Sequence, residues 1–197
     1  MKVVTFGEIM MRLTPPAHER LVQARSLEVT FGGAEANVAV SLACMGEEAE
    51  FVTKLPENDI SQAAINSLRA WGVETRHIVR GGARMGTYYM ERGASQRPSK
   101  VVYDRADSAI AQAGAGEFDW AKIFDGADWF HLTGITPALG DGVAAASLAA
   151  CQEAKKRGMT VSFDPNYRAK LWSVEAAAEA MKRYLPYVDV LITNENQ

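Results

Sequence analysis

Several segments of the sequence carry side chains whose types and spacing suit contact with a small polar molecule. In the first, Gly32 and Gly33 precede a helical pattern, and Asn37 places an amide in the first turn of that helix. Paired glycines let a ligand approach the backbone closely, and a helix N-terminus favours polar or anionic groups. The spacing differs from the G-x-G-x-x-G pattern of dinucleotide-binding sites, and a plain tight turn is the alternative interpretation.

A second segment joins an arginine to aromatic side chains. Tyr103, Asp104 and Arg105 are consecutive, and Tyr88 and Tyr89 lie on the preceding predicted strand. An arginine fork binds a carboxylate through two hydrogen bonds, while tyrosine offers both a hydroxyl and an apolar ring. This combination suits a polyhydroxylated or carboxylated small molecule. The alternative is an ordinary strand pair with cross-strand aromatic contacts.

Polar side chains also follow the last two predicted strands. Residues 163–168, with the sequence FDPNYR, bring Asn166 and Arg168 to the carboxyl end of a strand, where open α/β sheets bind ligands. Asp and Asn beside a proline are also typical of a simple turn, but several donors in one loop favour binding. Asn194 and Glu195 follow the next strand and could orient the water shell of a magnesium ion beside phosphates; solvated terminal residues are the alternative.

The elements that must position these residues alternate along the chain. Short apolar runs that predict strands are separated by patterns of helical spacing, which indicates an α/β fold with a parallel sheet and helices on both faces. The predicted strands are 3–6, 51–54, 129–132, 160–163 and 188–193, and the predicted helices are 34–45, 59–71, 142–157 and 173–185. The second helix has a capping-box pattern that starts at Asp59, and a predicted buried stripe of Ile60, Ala64, Leu68 and Trp71.

Residues 75–105 interrupt this alternation. Segments 76–80, 87–91 and 100–105 are short, alternating and separated by glycine-rich turns, so they predict antiparallel strands. Together with residues 9–14, they would form a small β-appendage on a single α/β domain that occupies residues 1–197.

Length and composition limit the function classes. The 197 residues are 48% hydrophobic and 23% charged, which is ordinary for a globular domain and excludes a disordered, collagenous or coiled-coil chain. A net charge of −3 argues against a nucleic-acid or membrane-surface partner. The cysteines and histidines are scattered, so neither a disulfide framework nor a metal cluster is predicted. With no signal-peptide pattern and no apolar run of transmembrane length, we expect a cytoplasmic protein.

Taken together, these segments resemble the PfkB family of ribokinase-like carbohydrate kinases over essentially the whole chain. The matching motifs, in the family's order, are Gly7-Glu8, the GGAEANVA run of residues 32–39, residues 163–168, Trp172 and Asn194-Glu195. Within the family, segments 31–38, 103–105 and 163–168 are most similar to 2-keto-3-deoxygluconate kinases. The resemblance implies a ribokinase-like parallel sheet, an antiparallel β-lid that often forms a homodimer contact, and transfer of the γ-phosphoryl group of ATP to a sugar hydroxyl.

The resemblance also implies roles for individual residues. The implied substrate-binding residues are Gly33, Asn37, Tyr88, Tyr103, Arg105 and Arg168. Arg105 would lie near the carboxylate of a sugar acid, and Arg168, the implied catalytic residue, would lie between the sugar and the phosphates of ATP. Asn166, Arg168 and Asn194 would face the nucleotide and its Mg²⁺, with no residue of this chain implied as a direct metal ligand.

One part of the family's chemistry is missing from the sequence. The family's proton acceptor is an aspartate in a Gly-Ala-Gly-Asp helix start; residues 114–117 (GAGE) come too early in the chain and lack the preceding Asp-Thr. In the family's Asn-x-x-Glu motif, Gln197 stands in place of the glutamate. We therefore expect this sequence to be about the N-terminal two-thirds of a sugar kinase, and we expect no turnover from it alone.

Two alternatives stay open at this point. A fructokinase shares the Asp-Pro-Asn-x-Arg segment, but a neutral ketose would depend much less on Arg105 than a sugar acid does. A non-catalytic sugar-binding module, complete at this length, is the alternative from a different class.

Overall fold

The structure is a computed structural model that describes residues 1–194. Its strands, in chain order, are β1 (Lys2–Phe6), β2 (Met10–Thr14), β3 (Glu28–Gly32), β4 (Glu48–Val52), β5 (Lys54–Leu55), β6 (Val79–Arg80), β7 (Thr87–Glu91), β8 (Lys100–Asp104), β9 (Trp129–Thr133), β10 (Thr160–Asp164) and β11 (Val190–Leu191). Its helices are α1 (Ala34–Cys44), α2 (Asp59–Arg69), α3 (Trp120–Ile123), α4 (Asp141–Lys156) and α5 (Val174–Tyr184).

A parallel sheet with the strand order β11-β10-β9-β1-β4 forms the centre of the molecule. Each neighbouring pair in it is parallel, which confirms the predicted α/β fold. The chain builds outward from β1 in both directions, so the strand order reverses between β1 and β9. Loops that leave the carboxyl ends of neighbouring strands on either side of such a switch point meet in one crevice. The last predicted strand, residues 188–193, is shorter than expected, because only β11 pairs.

Helices cover both faces of this sheet, as predicted. On one face, Phe51 packs with Ala39 of α1 and Leu68 of α2. On the other face, Phe130 and Phe163 belong to a second apolar cluster with residues of α3 and α4. Full burial of each such aromatic side chain stabilises the fold by roughly 1.5–3 kcal/mol. Within the described residues, no helix combines the length and the apolar character needed to cross a bilayer.

Helix α2 differs from its prediction at both ends. Its N-cap is Asn58 rather than Asp59, because the Asn58 side chain accepts a hydrogen bond from an amide in the first turn. Ile60 and Trp71, predicted to be buried, are 48% and 60% exposed. The helix ends before Trp71, and its buried residues are Ser61, Ala64, Ile65 and Leu68.

A second sheet contains four strands in the order β3-β2-β7-β8. The pair β7–β8 is antiparallel as predicted, and the pair β2–β3 is antiparallel too, whereas β2 and β7 in the middle are parallel. The two middle strands share a direction because both enter this sheet from the carboxyl edge of the parallel sheet. Two further details correct the prediction. Strand β3 joins this sheet, and segment 76–80 contributes only β6, which pairs with β5 in a separate two-stranded sheet.

The two faces of the four-stranded sheet have different chemistry. Because side chains alternate along a strand, the register places Arg12, Tyr88 and Tyr103 on one face, which we call the polar face. The opposite face carries a cross-strand line of apolar side chains, the apolar row, which consists of Val29, Leu13, Tyr89 and Val102.

Candidate functional site

Glu8 and Arg105 form a buried ion pair at the edge of the polar face. Glu8 lies in the turn between β1 and β2 and is 3% exposed. Arg105 follows β8 and donates through Nη2 to the Glu8 carboxylate, while the Ser108 hydroxyl donates to Glu8 Oε1 at 2.7 Å. A Cβ at Gly86 would lie 2.5 Å from Glu8 Oε1, so a glycine is needed there. These contacts fix the guanidinium of Arg105 and balance its charge.

Two predicted tyrosines line the polar face beside this ion pair. The rings of Tyr88 and Tyr103 are cross-strand neighbours with centroids 5.9 Å apart. The guanidinium carbon of Arg105 lies 5.7 Å from the centroid of the Tyr103 ring, within cation–π distance. Tyr103 is 41% exposed, so its ring remains accessible. The structure therefore brings together Tyr88, Tyr103 and Arg105, whereas Tyr89 lies on the opposite face and Asp104 pairs with Arg84.

The glycine-rich segment meets the polar face at the start of α1. Asn37 Oδ1 and the Tyr88 hydroxyl each lie 3.6 Å from the position that a Cβ at Gly32 would take. A Cβ at Gly33 would lie 1.9 Å from the Glu8 carbonyl oxygen, so close packing of the chain alone requires this glycine. A cavity of about 640 Å³ opens beside Asn37 and Gly32, and Trp71 also lines it.

Glu35, inside the same segment, ties α1 to the end of β9. Its carboxylate is buried, and Oε1 accepts hydrogen bonds from the Thr133 amide at 3.0 Å, the Thr133 hydroxyl at 2.8 Å and the Thr136 hydroxyl at 2.7 Å. Burial raises the pKa of Glu35 above its ordinary value. A Cβ at Gly7 would collide with this carboxylate. Glu35 thus fixes the helix start that carries Asn37.

Glu8 and Glu35 are structural residues of the site that the sequence patterns do not identify. Glu8 belongs to the Gly7-Glu8 motif, and a carboxylate directly after a buried strand stands where α/β sheets bind ligands. Glu35 stands in the first turn of α1, where an acidic residue also suits the helix dipole. Neither sequence signal identifies the partner, because each partner lies about a hundred residues away along the chain.

The loop after β10 holds Asn166 in a strained backbone conformation. Its φ is 44°, and Asp164 accepts hydrogen bonds from the Asn166 amide at 2.9 Å and from Nδ2 at 3.2 Å. Burial raises the pKa of Asp164, while these bonds and the charge of Arg168 act in the opposite direction. Asn166 Oδ1 is buried and has no hydrogen-bond partner among residues 1–194. It is an acceptor that a ligand or water can satisfy.

Arg168 lies in the same loop and is exposed. Its guanidinium donates to the Tyr167 carbonyl at 2.9 Å and more weakly to the Asn166 carbonyl, both in its own loop. Asn194 is exposed and follows β11, the strand next to β10. Glu195 and Gln197, which the sequence interpretation also used, lie outside the described residues. In the part of the chain that the structure describes, no group of three His, Cys, Asp or Glu side chains is placed to hold a metal ion.

The GAGE segment at 114–117 does not form an anion site. It forms a short 3-10 helix, in which the Glu117 carboxylate accepts from the Gly114 amide at 2.7 Å and pairs with Lys54 at 2.6 Å. A carboxylate therefore already occupies the position that a phosphate would need. This agrees with the interpretation that the segment is misplaced for the family's catalytic motif.

His131 and Cys151 belong to the core. Burial lowers the pKa of His131 to about 4 and raises the pKa of Cys151 to about 12, so the histidine is neutral and the cysteine is a thiol at pH 7. His131 Nδ1 lies 2.9 Å from the Ser162 hydroxyl. Neither side chain has the exposure that a nucleophile needs.

Comparisons with known proteins agree on one family. The family model described as "pfkB family carbohydrate kinase" matches residues 1–197. A crystal structure of 2-dehydro-3-deoxygluconokinase from Thermotoga maritima superposes with a TM-score of 0.98 at 58% identity, covering 100% of this chain and 60% of that one. A 2-dehydro-3-deoxygalactonokinase from Haloferax volcanii is 42% identical over 194 residues, which are 98% of this chain and 61% of that protein. Fructokinase-1 from Oryza sativa subsp. japonica is 31% identical over 172 residues, 86% of this chain and 52% of that protein. The chain spans about three-fifths of the length of the first two kinases.

Proposed function

This chain belongs to the pfkB family of carbohydrate kinases, and from that premise we propose that it carries the sugar-acid site of an ATP-dependent kinase of 2-keto-3-deoxygluconate, also called 2-dehydro-3-deoxygluconate. The observation that carries the proposal is the convergence of Tyr88, Tyr103 and Arg105 on one face, next to Asn37 at the start of α1. Hydroxyls, an amide and a guanidinium are the groups that recognise a polyhydroxylated acid.

The substrate side of the site follows from these groups. Arg105 donates N–H groups toward the carboxylate of the sugar acid, and its Nε is buried without a partner among residues 1–194. Asn37 and the backbone at Gly33 contact sugar hydroxyls, while the ring of Tyr103 covers the apolar side of the carbon chain. Because Glu8 fixes Arg105 and Glu35 fixes the start of α1, these side chains need little rearrangement when the sugar binds.

The nucleotide side is assigned to the loops after β10 and β11. When bound, ATP with Mg²⁺ supplies the phosphoryl group and a metal that neutralises its charge. The exposed guanidinium of Arg168 suits the phosphate oxygens, and Arg168 is the catalytic residue that this chain would contribute. The unpartnered Oδ1 of Asn166 and the side chain of Asn194 suit the water shell of the metal ion, which usually keeps several waters.

Titration of the chain with sugars tests the substrate proposal. Isothermal titration calorimetry is expected to show saturable binding of 2-keto-3-deoxygluconate and weaker binding of fructose. Fructose binding as tight as that of the acid contradicts the sugar-acid proposal and favours the fructokinase alternative. Binding of neither compound contradicts the proposed site as a whole.

A coupled ATP assay tests the catalytic part. The sequence contains no Gly-Ala-Gly-Asp motif to accept the hydroxyl proton, so these 197 residues are expected to show no turnover above background. Robust phosphorylation by them would contradict this assignment. Sequencing the gene past codon 197 separates the two classes: an in-frame Asp-Thr-x-Gly-Ala-Gly-Asp supports the kinase, and a stop codon favours a sugar-binding module.

A second candidate substrate is 2-keto-3-deoxygalactonate. The Haloferax volcanii relative, at 42% identity, is named for this acid, which differs from the gluconate compound only in configuration at C4. Both acids present the same carboxylate to Arg105. The same calorimetric titration, run with both epimers, decides which one this chain prefers.

We also assign a homodimer contact to the apolar row of the four-stranded sheet, and a cytoplasmic location, where ATP is supplied. Val29 and Val102 of this row are 55% and 41% exposed, as is typical of a surface that a partner covers. Sedimentation velocity is expected to show a dimer that Val102→Lys weakens. A wild-type monomer at all concentrations contradicts this contact.

A further inference from the structure

Lys170 is a second cation beside the ring of Tyr103. It stands in the loop after β10, and its Nζ lies 5.4 Å from the centroid of the Tyr103 ring. The guanidinium of Arg105 lies 5.7 Å from the same centroid. Two cations that come from different parts of the fold therefore meet at one exposed aromatic ring, which lies on the polar face.

The charges of these two cations are balanced differently. Arg105 is paired with the buried carboxylate of Glu8, so this pair contributes almost no net charge to the site. Lys170 is exposed, and among residues 1–194 no carboxylate lies within ion-pair distance of its Nζ. Of the two cations over the Tyr103 ring, Lys170 is therefore the one whose charge is not balanced by a carboxylate.

We propose that Lys170 is a substrate-binding residue that supplies the net positive charge for the carboxylate of the sugar acid, with Arg105 supplying fixed N–H donors to the same group. An anion next to the neutral Arg105–Glu8 pair gains little Coulomb attraction, whereas an unpaired ammonium attracts it at full charge. The long flexible side chain of Lys170 reaches the ligand from the loop that also carries Arg168, so one loop contacts both the carboxylate and the phosphate side. This inference rests on the proposed sugar-acid function.

Calorimetric titration of three variants with 2-keto-3-deoxygluconate tests this role. Lys170→Met removes the charge, Lys170→Arg keeps it, and Lys182→Met removes an exposed lysine on α5 as the matched control. Lys170→Met is expected to weaken binding by about twofold to fivefold, the range of a single exposed charge pair. Lys170→Arg and Lys182→Met are expected to bind as wild type does.

Salt dependence separates charge from packing. Raising NaCl from 50 to 300 mM is expected to weaken acid binding by the wild type and by Lys170→Arg more than by Lys170→Met. Salt screens the attraction between the side chain at position 170 and the carboxylate, and Lys170→Met no longer has that attraction. The proposal is overturned if Lys170→Met binds the acid as tightly as wild type does. It is also overturned if both variants bind the acid more weakly while the salt dependence of Lys170→Met equals that of wild type. If the wild type does not bind the acid at all, the proposed function and this inference both fail; if the wild type binds and the variants do not differ, only the inference fails.

Discussion

The two sides of the proposed sugar site hold their charged groups in opposite ways. On the side of β1 and α1, Glu8 and Glu35 are buried, and each is satisfied by several donors. On the side of β10, Arg168 and Lys170 are exposed; within residues 1–194, Arg168 donates to carbonyls of its own loop and Lys170 lies over an aromatic ring. The first set of charges stabilises the fold and positions the site, whereas the second set is available to a ligand. Substitutions should therefore affect stability on one side and binding on the other.

The largest effect is expected at Arg105, which joins the buried side to the ligand. Arg105→Met leaves the Glu8 carboxylate buried without a cation, so the free energy of unfolding should fall by about 3–5 kcal/mol. Urea denaturation measures this loss. Adding Glu8→Gln to the same chain removes the stranded charge and should restore part of the stability. An Arg105→Met variant as stable as wild type would show that the Glu8–Arg105 ion pair does not stabilise the fold.

A smaller, pH-dependent effect is expected at Glu35. Because its native pKa is raised, the native state binds the proton more tightly than the unfolded state does, and stability falls as pH rises from the usual value of 4.5 through the native pKa. Glu35→Gln keeps the shape of the side chain but cannot ionise. Its stability relative to wild type should therefore increase with pH across this window, by ~1.4 kcal/mol for each unit of pKa shift.

Urea denaturation at pH values from 4 to 8 provides this comparison for Glu35→Gln. Val22→Ala, at a position that is 90% exposed, removes no titratable group and serves as the control; its difference from wild type should not change with pH. A pH-independent difference for Glu35→Gln as well would contradict the raised pKa.

The smallest effect on stability is expected at Arg168. Because its guanidinium is exposed and its hydrogen bonds within the described residues stay in its own loop, Arg168→Ala should change the free energy of unfolding by less than about 0.5 kcal/mol. Its effect should appear in binding instead. Calorimetry should show that the variant binds the phosphorylated sugar acid about tenfold more weakly, with a smaller change for the unphosphorylated acid. Equal losses for both compounds would place Arg168 away from the phosphate.

The sequence predicted the parts of this molecule that local patterns determine. Helix α5 and the strands β1, β9 and β10 lie within one residue of their predicted bounds, because neighbouring residues decide those features. The predicted strand 51–54 starts and ends earlier, as β4 (Glu48–Val52), and only β11 forms within 188–193. The sequence predicts that Gly33 lets a ligand approach the backbone. The structure adds a second reason, because any larger residue at this position would clash with the Glu8 carbonyl. The partners of Glu8 and Glu35 could not be predicted, because they depend on how distant strands meet.

The hydrogen bonds and ion pair of Glu8 and Glu35 join residues that are far apart in the sequence, which affects how the molecule folds. Glu8 and Arg105 are 97 residues apart in the chain, Glu8 and Ser108 are 100 apart, and Glu35 and Thr136 are 101 apart. Closing loops of this length costs chain entropy before any contact forms, and such contacts slow folding. The pairing of β1 with β9 has a similar reach, with Lys2 and Asp128 126 residues apart, so we expect these side-chain contacts to form together with the central sheet. A ligand that binds only the assembled site then stabilises the native state against the unfolded chain.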